Sequence, residues 1–255
     1  MQIYVAQRQL NLFLDSKTTI INSPTVLRKY RNEFKVFYNI GVLFIFRLAD
    51  RHICGAALIA ARYGLSAAHC FKEIALYSVR AGSDFKDSGG NITNISNIYV
   101  HPERSIYNYD IAILVFQNPL NLSSTIQPVK LPTNNDILAP GIRGTVSGFG
   151  DIYYGQTKGS KLLKAAQMSV IDSEWCKNQY KEYEMPFTEI QFCAGGDNMA
   201  NITDSCHGDS GGPFVTGNIL HGIVAYGLEC GDPKHPGVYT NVAALRDFIW
   251  LNTGI

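Results

Sequence analysis

The stretch Asp204-Ser205-Cys206-His207-Gly208-Asp209-Ser210-Gly211-Gly212-Pro213 brings two serines, two aspartates and three glycines into ten residues. A serine hydroxyl is a poor nucleophile near neutral pH. To react it must stand exposed on a tight turn beside a base, with backbone N–H groups free to receive an oxyanion. Glycines on both sides of Ser210 permit such a backbone. Taken alone, the stretch also fits a glycine-rich hairpin with an incidental serine.

Two segments upstream change that balance. Leu65-Ser66-Ala67-Ala68-His69-Cys70 supplies an imidazole, and Asn108-Tyr109-Asp110-Ile111-Ala112-Ile113-Leu114 supplies a carboxylate just before an apolar run. Singly, His69 reads as a packed histidine beside a cysteine and Asp110 as a turn residue. In the chain order His69, Asp110, Ser210, the three segments resemble the signatures of the chymotrypsin-like serine proteases, which other serine hydrolases permute.

The resemblance covers roughly Ile20 to the C-terminus. It implies an all-β protein of two packed six-stranded antiparallel β-barrels with a C-terminal helix, and a cleft between the barrels. It implies Ser210 as nucleophile, His69 as general base and then acid, and Asp110 as the carboxylate that fixes the imidazole tautomer. The backbone amides of Gly208 and Ser210 would form the oxyanion hole. Asp204, six residues before Ser210, matches the carboxylate that trypsin-type members place at the base of the substrate pocket. A desolvated carboxylate is costly unless a cation meets it, so the expected partner is a Lys or Arg side chain of a protein or peptide substrate. Gly227 and Gly237 match the open pocket walls, Tyr226 stands on the substrate strand, and His207 is a residue of the pocket rim.

Composition agrees with a β protein. In 255 residues, 46% are hydrophobic and 17% charged, below the usual quarter or so, and 22 basic residues nearly cancel 21 acidic ones. That balance offers no footprint for nucleic acid or an anionic membrane. The longest apolar run, Ile40 to Phe46, falls far short of a membrane span. Strand-like runs recur at Val36 to Phe46, His52 to Ala60, Tyr77 to Gly82, Ile95 to Val100 and Ile111 to Phe116. A second set follows at Ile142 to Val146, Ala165 to Val170, Pro213 to Val215, Ile219 to Tyr226 and Gly237 to Tyr239. The expected organisation is an atypical N-terminal segment or propeptide over 1–19, a first barrel over 20–133, a second over 134–240, and a closing helix over 241–255 capped by Asn241.

Six cysteines permit fifteen pairings, and no CxxC suggests zinc or redox chemistry. The family pattern selects Cys54–Cys70, Cys176–Cys193 and Cys206–Cys230. Acceptor sequons at Asn91, Asn94, Asn121 and Asn201 fit passage through an oxidising secretory route. His52, His101, His221 and His235 show no ligand spacing, so neither a metal nor a cofactor is expected. The partners expected are substrates and protein protease inhibitors, and the expected state is a monomer.

The sequence departs from the family in three places. Active members pair a newly cut Ile-Val-Gly-Gly terminus with the Asp before the nucleophile, here Asp209. The nearest match is Ile20-Ile21-Asn22-Ser23, preceded by Thr19 rather than a basic residue, which makes Ile20 and Asp209 the expected activation pair. Ala225-Tyr226-Gly227 stands where Ser-Trp-Gly is usual, and Phe149 replaces the Trp of Ser-Gly-Trp-Gly. The N-terminus, MQIYVAQRQLNLFL, lacks the uninterrupted apolar core of a signal peptide. These drifts suggest a divergent invertebrate paralog of the kind found in mites and other arthropods. They also leave open a second reading, a catalytically silent homologue that binds proteins and regulates a proteolytic cascade or host defence.

Overall fold

The computed structural model describes residues 41–47, 51–72, 76–134, 136–196 and 203–255. Residues 1–19, Ile20 and the sequon asparagine Asn201 lie outside the described residues. Twelve strands close into two barrels. The first holds β1 (Val42–Arg47), β2 (Arg51–Ala60), β3 (Tyr63–Ser66), β4 (Tyr77–Ala81), β5 (Asn91–Val100) and β6 (Ala112–Phe116) in the order β1-β2-β3-β6-β5-β4. The second holds β7 (Arg143–Gly148), β8 (Lys164–Ile171), β9 (Gln191–Gly195), β10 (Pro213–Thr216), β11 (Ile219–Tyr226) and β12 (Gly237–Asn241) in the order β10-β11-β12-β9-β8-β7. Neighbouring strands within each barrel are antiparallel.

Strand β1 shows why this fold demands continuous apolar runs. Alternate side chains of a strand face opposite ways, and here both directions lead into core. Leu43 and Ile45 point into the first barrel with Leu58, Val79 and Phe116. Val42, Phe44 and Phe46 point into a seam between the barrels, against Phe149, Leu220 and Ile223. β6 behaves likewise, with Leu114 and Phe116 in the barrel and Ile113 in the seam. The second barrel is filled by Val146, Met168, Phe192, Phe214 and Tyr239.

Among the described residues, two short helices complete the fold. α1 (Ser173–Lys181) starts on Asp172, whose side chain accepts the Trp175 N–H at 2.8 Å. The closing helix begins later than the sequence reading places it. Asn241 ends β12, and its Oδ1 accepts the N–H of Ala243 at 3.0 Å, capping a short 3-10 turn over Ala243–Leu245. α2 (Arg246–Thr253) follows and stops at Gly254, left-handed at φ +73°. Val242, Leu245 and Ile249 anchor this end in the seam. No helix of the described residues is long and apolar enough to cross a membrane.

Candidate active site

His69 lies on a one-turn 3-10 segment, Ala68–Cys70, directly after β3. Its backbone N–H donates to Asp110 Oδ1 at 2.8 Å, and its Nδ1 meets Asp110 Oδ2 at 2.6 Å. This double attachment fixes the ring's orientation. With the proton on Nδ1 facing the carboxylate, Nε2 is left as an acceptor. Asp110 is only 3% exposed, while the His69 side chain keeps 34% of its surface. The carboxylate is therefore buried and the imidazole accessible.

Ser210 comes from the second barrel and is pressed against the same 3-10 segment. Its carbonyl accepts the Gly55 N–H at 2.8 Å and lies 4.0 Å from Cys70 Sγ. The approach requires glycine: a Cβ on Gly55 would meet Gly212 Cα at 2.9 Å, and one on Gly211 would meet Ala67 N at 2.9 Å. Gly211 also sits at φ +78°, where other residues are strained. The disulfide Cys54–Cys70 ties the His69 segment to β2, and Cys206–Cys230 braces the segment before Ser210. Cys176–Cys193 joins α1 to β9.

In the turn before Ser210, Asp209 N–H bonds Cys206 O, Gly211 N–H bonds Val224 O and Gly212 N–H bonds Asp209 O. The amides of Gly208 and Ser210 meet no acceptor among the described residues. Gly208 takes φ +94° and lies against Gly150, where an added Cβ would stand 3.2 Å from the Gly150 Cα. Asp209 is fully buried. Its carboxylate accepts Gly150 N–H at 2.8 Å and Cys206 N–H at 3.0 Å, and burial raises its pKa to about 6 against those donors. Gly148 and Gly150 form its cradle, since a Cβ on either would fall within 2.5 Å of the carboxylate.

Asp204 is only 2% exposed. Gly231 N–H and Ser205 N–H each donate to it at 2.8 Å, and burial nonetheless pushes its pKa up to about 7. Gly237 faces it so closely that a Cβ there would stand 2.6 Å from Asp204 Oδ1. A Cβ on Gly227 would lie 3.9 Å from Gly237 Cα, in ordinary contact range. The Tyr226 hydroxyl donates to Pro186 O at 3.2 Å and its ring lies 5.3 Å from Tyr107. Exposed His207 packs near Tyr154 at 5.9 Å. Among the described residues, two groups, Cys54 with His69 and Cys70, and Cys206 with His207 and Cys230, gather potential ligand atoms. Their sulfurs are bound in disulfides, so neither offers a thiolate.

The sequence reading missed the groups that hold Asp110 from behind. Thr240 Oγ1 donates to Asp110 O at 3.0 Å, Thr188 Oγ1 donates to Asn108 Oδ1 at 2.8 Å, and Gln191 Nε2 donates to Tyr107 O. A lone glutamine opening an apolar strand carries no signal of such a role. Gly148 and Gly150 were better marked, because the spacing Gly-x-Gly beside a buried aromatic suggests close backbone approach.

Comparison with known proteins matches the family described as Trypsin over residues 33–249. The chain is 32% identical to Trypsin delta of Drosophila melanogaster over 206 residues, covering 79% of each. It is 37% identical to Transmembrane protease serine 11E of Mus musculus over 215 residues, covering 80% of this chain but 49% of that protein, so it spans about half of that relative. Among solved structures it is similar to neuropsin, a serine protease expressed in mouse brain, with a TM-score of 0.76 and 31% identity over 84% of this chain and 94% of that one.

Proposed function

Given that the chain belongs to the trypsin family and is a trypsin-like serine endopeptidase, we propose that it cleaves after Lys or Arg through an acyl-enzyme on Ser210. The observation that carries this reading is the His69–Asp110 dyad, whose histidine lies on the segment that approaches Ser210. Ser210 Oγ attacks the scissile carbonyl while His69 Nε2 takes its proton. The oxyanion settles between the N–H groups of Gly208 and Ser210, where each donor contributes about 3 kcal/mol of transition-state stabilisation. His69 then protonates the leaving amine as the C–N bond breaks. Water, deprotonated by the same imidazole, releases the acid and restores Ser210.

Asp204 supports the choice of substrate. A buried carboxylate capped by backbone donors on its rim still carries a desolvation penalty that an entering guanidinium or ammonium relieves. Asp209 supports the activation scheme, since the described residues give it backbone donors and the terminal ammonium of Ile20 would supply the charge. Three disulfides and exposed sequon asparagines at 91, 94 and 121 support secretion. Substrates and protein inhibitors engage the cleft of a monomer.

The test uses protein whose N-terminus has been verified at Ile20. It should hydrolyse Lys and Arg esters, Ser210→Ala should abolish turnover, and Asp204→Ser should lower it on basic substrates by ~10³-fold or more while Ser210 still reacts with a non-basic phosphonate. Unreactive Ser210 would favour the silent, protein-binding homologue, which buried Ala225, a methyl on the substrate strand, also fits.

A further inference from the structure

The turn that carries Asp110 is strained. Tyr109 sits at φ +51°, a left-handed conformation that costs a non-glycine residue on the order of 1–3 kcal/mol. The Ile111 N–H closes back onto Tyr109 O at 2.8 Å. Such a conformation persists only where the surroundings over-determine it. On one side the Tyr109 ring stacks on His101, with centroids 4.4 Å apart and planes within 15°, and His101 in turn rests on Phe248 of α2. On the other side the second barrel reaches across. Thr240 of β12 holds Asp110 O, Thr188 holds the Asn108 side chain, and Gln191 of β9 holds Tyr107 O.

Gln191 is the most committed of these. It is 5% exposed, and both ends of its amide are engaged, since Oε1 accepts the Thr188 N–H at 3.0 Å while Nε2 donates to Tyr107 O. The Asp110 carboxylate, in contrast, takes both of its described hydrogen bonds from His69 on its own barrel. The dyad thus rides on the first barrel and Ser210 on the second. Apolar seams can slide by fractions of an ångström. A buried amide bonded at both ends resists that slip, and errors near 1 Å in such a constellation cost about a hundredfold in rate.

We propose that Gln191 is a positioning residue: acting from the second barrel through Tyr107 and the Asp110 turn, it sets where the His69 ring stands relative to Ser210. The proposal rests on the Ser-His-Asp reading above. In matured protein, Gln191→Met keeps the length of the side chain and removes both polar ends. Its kcat on a small Arg ester and its rate of Ser210 labelling by a phosphonate should fall together, by ~10- to 100-fold. Benzamidine affinity, which reports cation binding at Asp204, should stay within about twofold, separating positioning from general loosening. Thr188→Val, a half-buried site less prone to unfolding, should give a smaller fall of the same kind, and the double variant should lose less than the product of the two. Labelling at the parent rate in both single variants overturns the proposal, as does a parallel loss of benzamidine affinity. Wild-type protein that never labels overturns the triad reading and this proposal with it, whereas a labelled parent with unaffected variants overturns the positioning role alone.

Discussion

Gly211 of the second barrel lies so close to Ser66 of the first that a methyl group at 211 would stand 2.2 Å from Ser66 Oγ and 2.5 Å from Gly55 O. This contact brings the serine-bearing turn against the histidine-bearing one. Gly211→Ala meets both a positive φ and a backbone wall, so it should lower unfolding free energy by ~2–4 kcal/mol. Its turnover should fall further than that of Gly217→Ala, which sits at φ +61° in open space. Urea unfolding with parallel kinetics checks this, and a Gly211 variant within ~0.5 kcal/mol of its parent contradicts the packing account.

Burial gives a signed pH dependence. Burial raises Asp204 and Asp209 from the ordinary carboxylate value of 3.8 to about 7 and about 6. For a group whose folded pKa lies above its unfolded one, the associated stability is complete below the unfolded pKa and is lost as pH rises through the folded value. The melting temperature of the unliganded protein should therefore decline between about pH 4 and about pH 7 and level off above that. Benzamidine, an amidinium, pairs with ionised Asp204, so its affinity should climb up to ~10-fold per pH unit below neutrality and level off above it. Calorimetric titrations that show a flat profile, or one rising only in the Asp204→Asn variant, rule out this assignment.

The Cys54–Cys70 bridge holds the segment bearing His69 to the strand that contacts Ser210. Replacing both cysteines by alanine should cost about 3 kcal/mol through lost loop closure and depress kcat more than KM. The Cys206–Cys230 pair adjoins Asp204, so its removal should raise KM for basic substrates more than it lowers kcat. Steady-state kinetics on the two double variants distinguish these patterns. Identical effects would show that the bridges stabilise the fold without local influence on the site.

Much of this was legible because the site and the barrels write strong local patterns. β1 reads as an unbroken apolar run since both of its faces meet core. Ser210, His69 and Asp110 sit in stretches whose small neighbours are dictated by backbone contact, as Gly211 against Ala67 demonstrates. β3 escaped notice because it is only four residues long and contains Gly64. β9 opens on Gln191, whose polarity breaks the apolar pattern although its amide is satisfied across the barrel interface. α1 buries only Cys176 and Tyr180, one turn apart, too little to show a helical period. The cross-barrel hold on Asp110 depends on residues about 80 and 130 positions distant in sequence, and no short window contains it.

The most direct test is site-resolved trapping. Protein verified to begin at Ile20 is treated with a peptidyl phosphonate carrying a basic side chain, digested, and mapped by mass spectrometry. The account predicts a single covalent adduct on Ser210, blocked by benzamidine and slowed ~10³-fold or more in His69→Ala. An unmodified Ser210, or an adduct that forms equally fast without the imidazole, would contradict it.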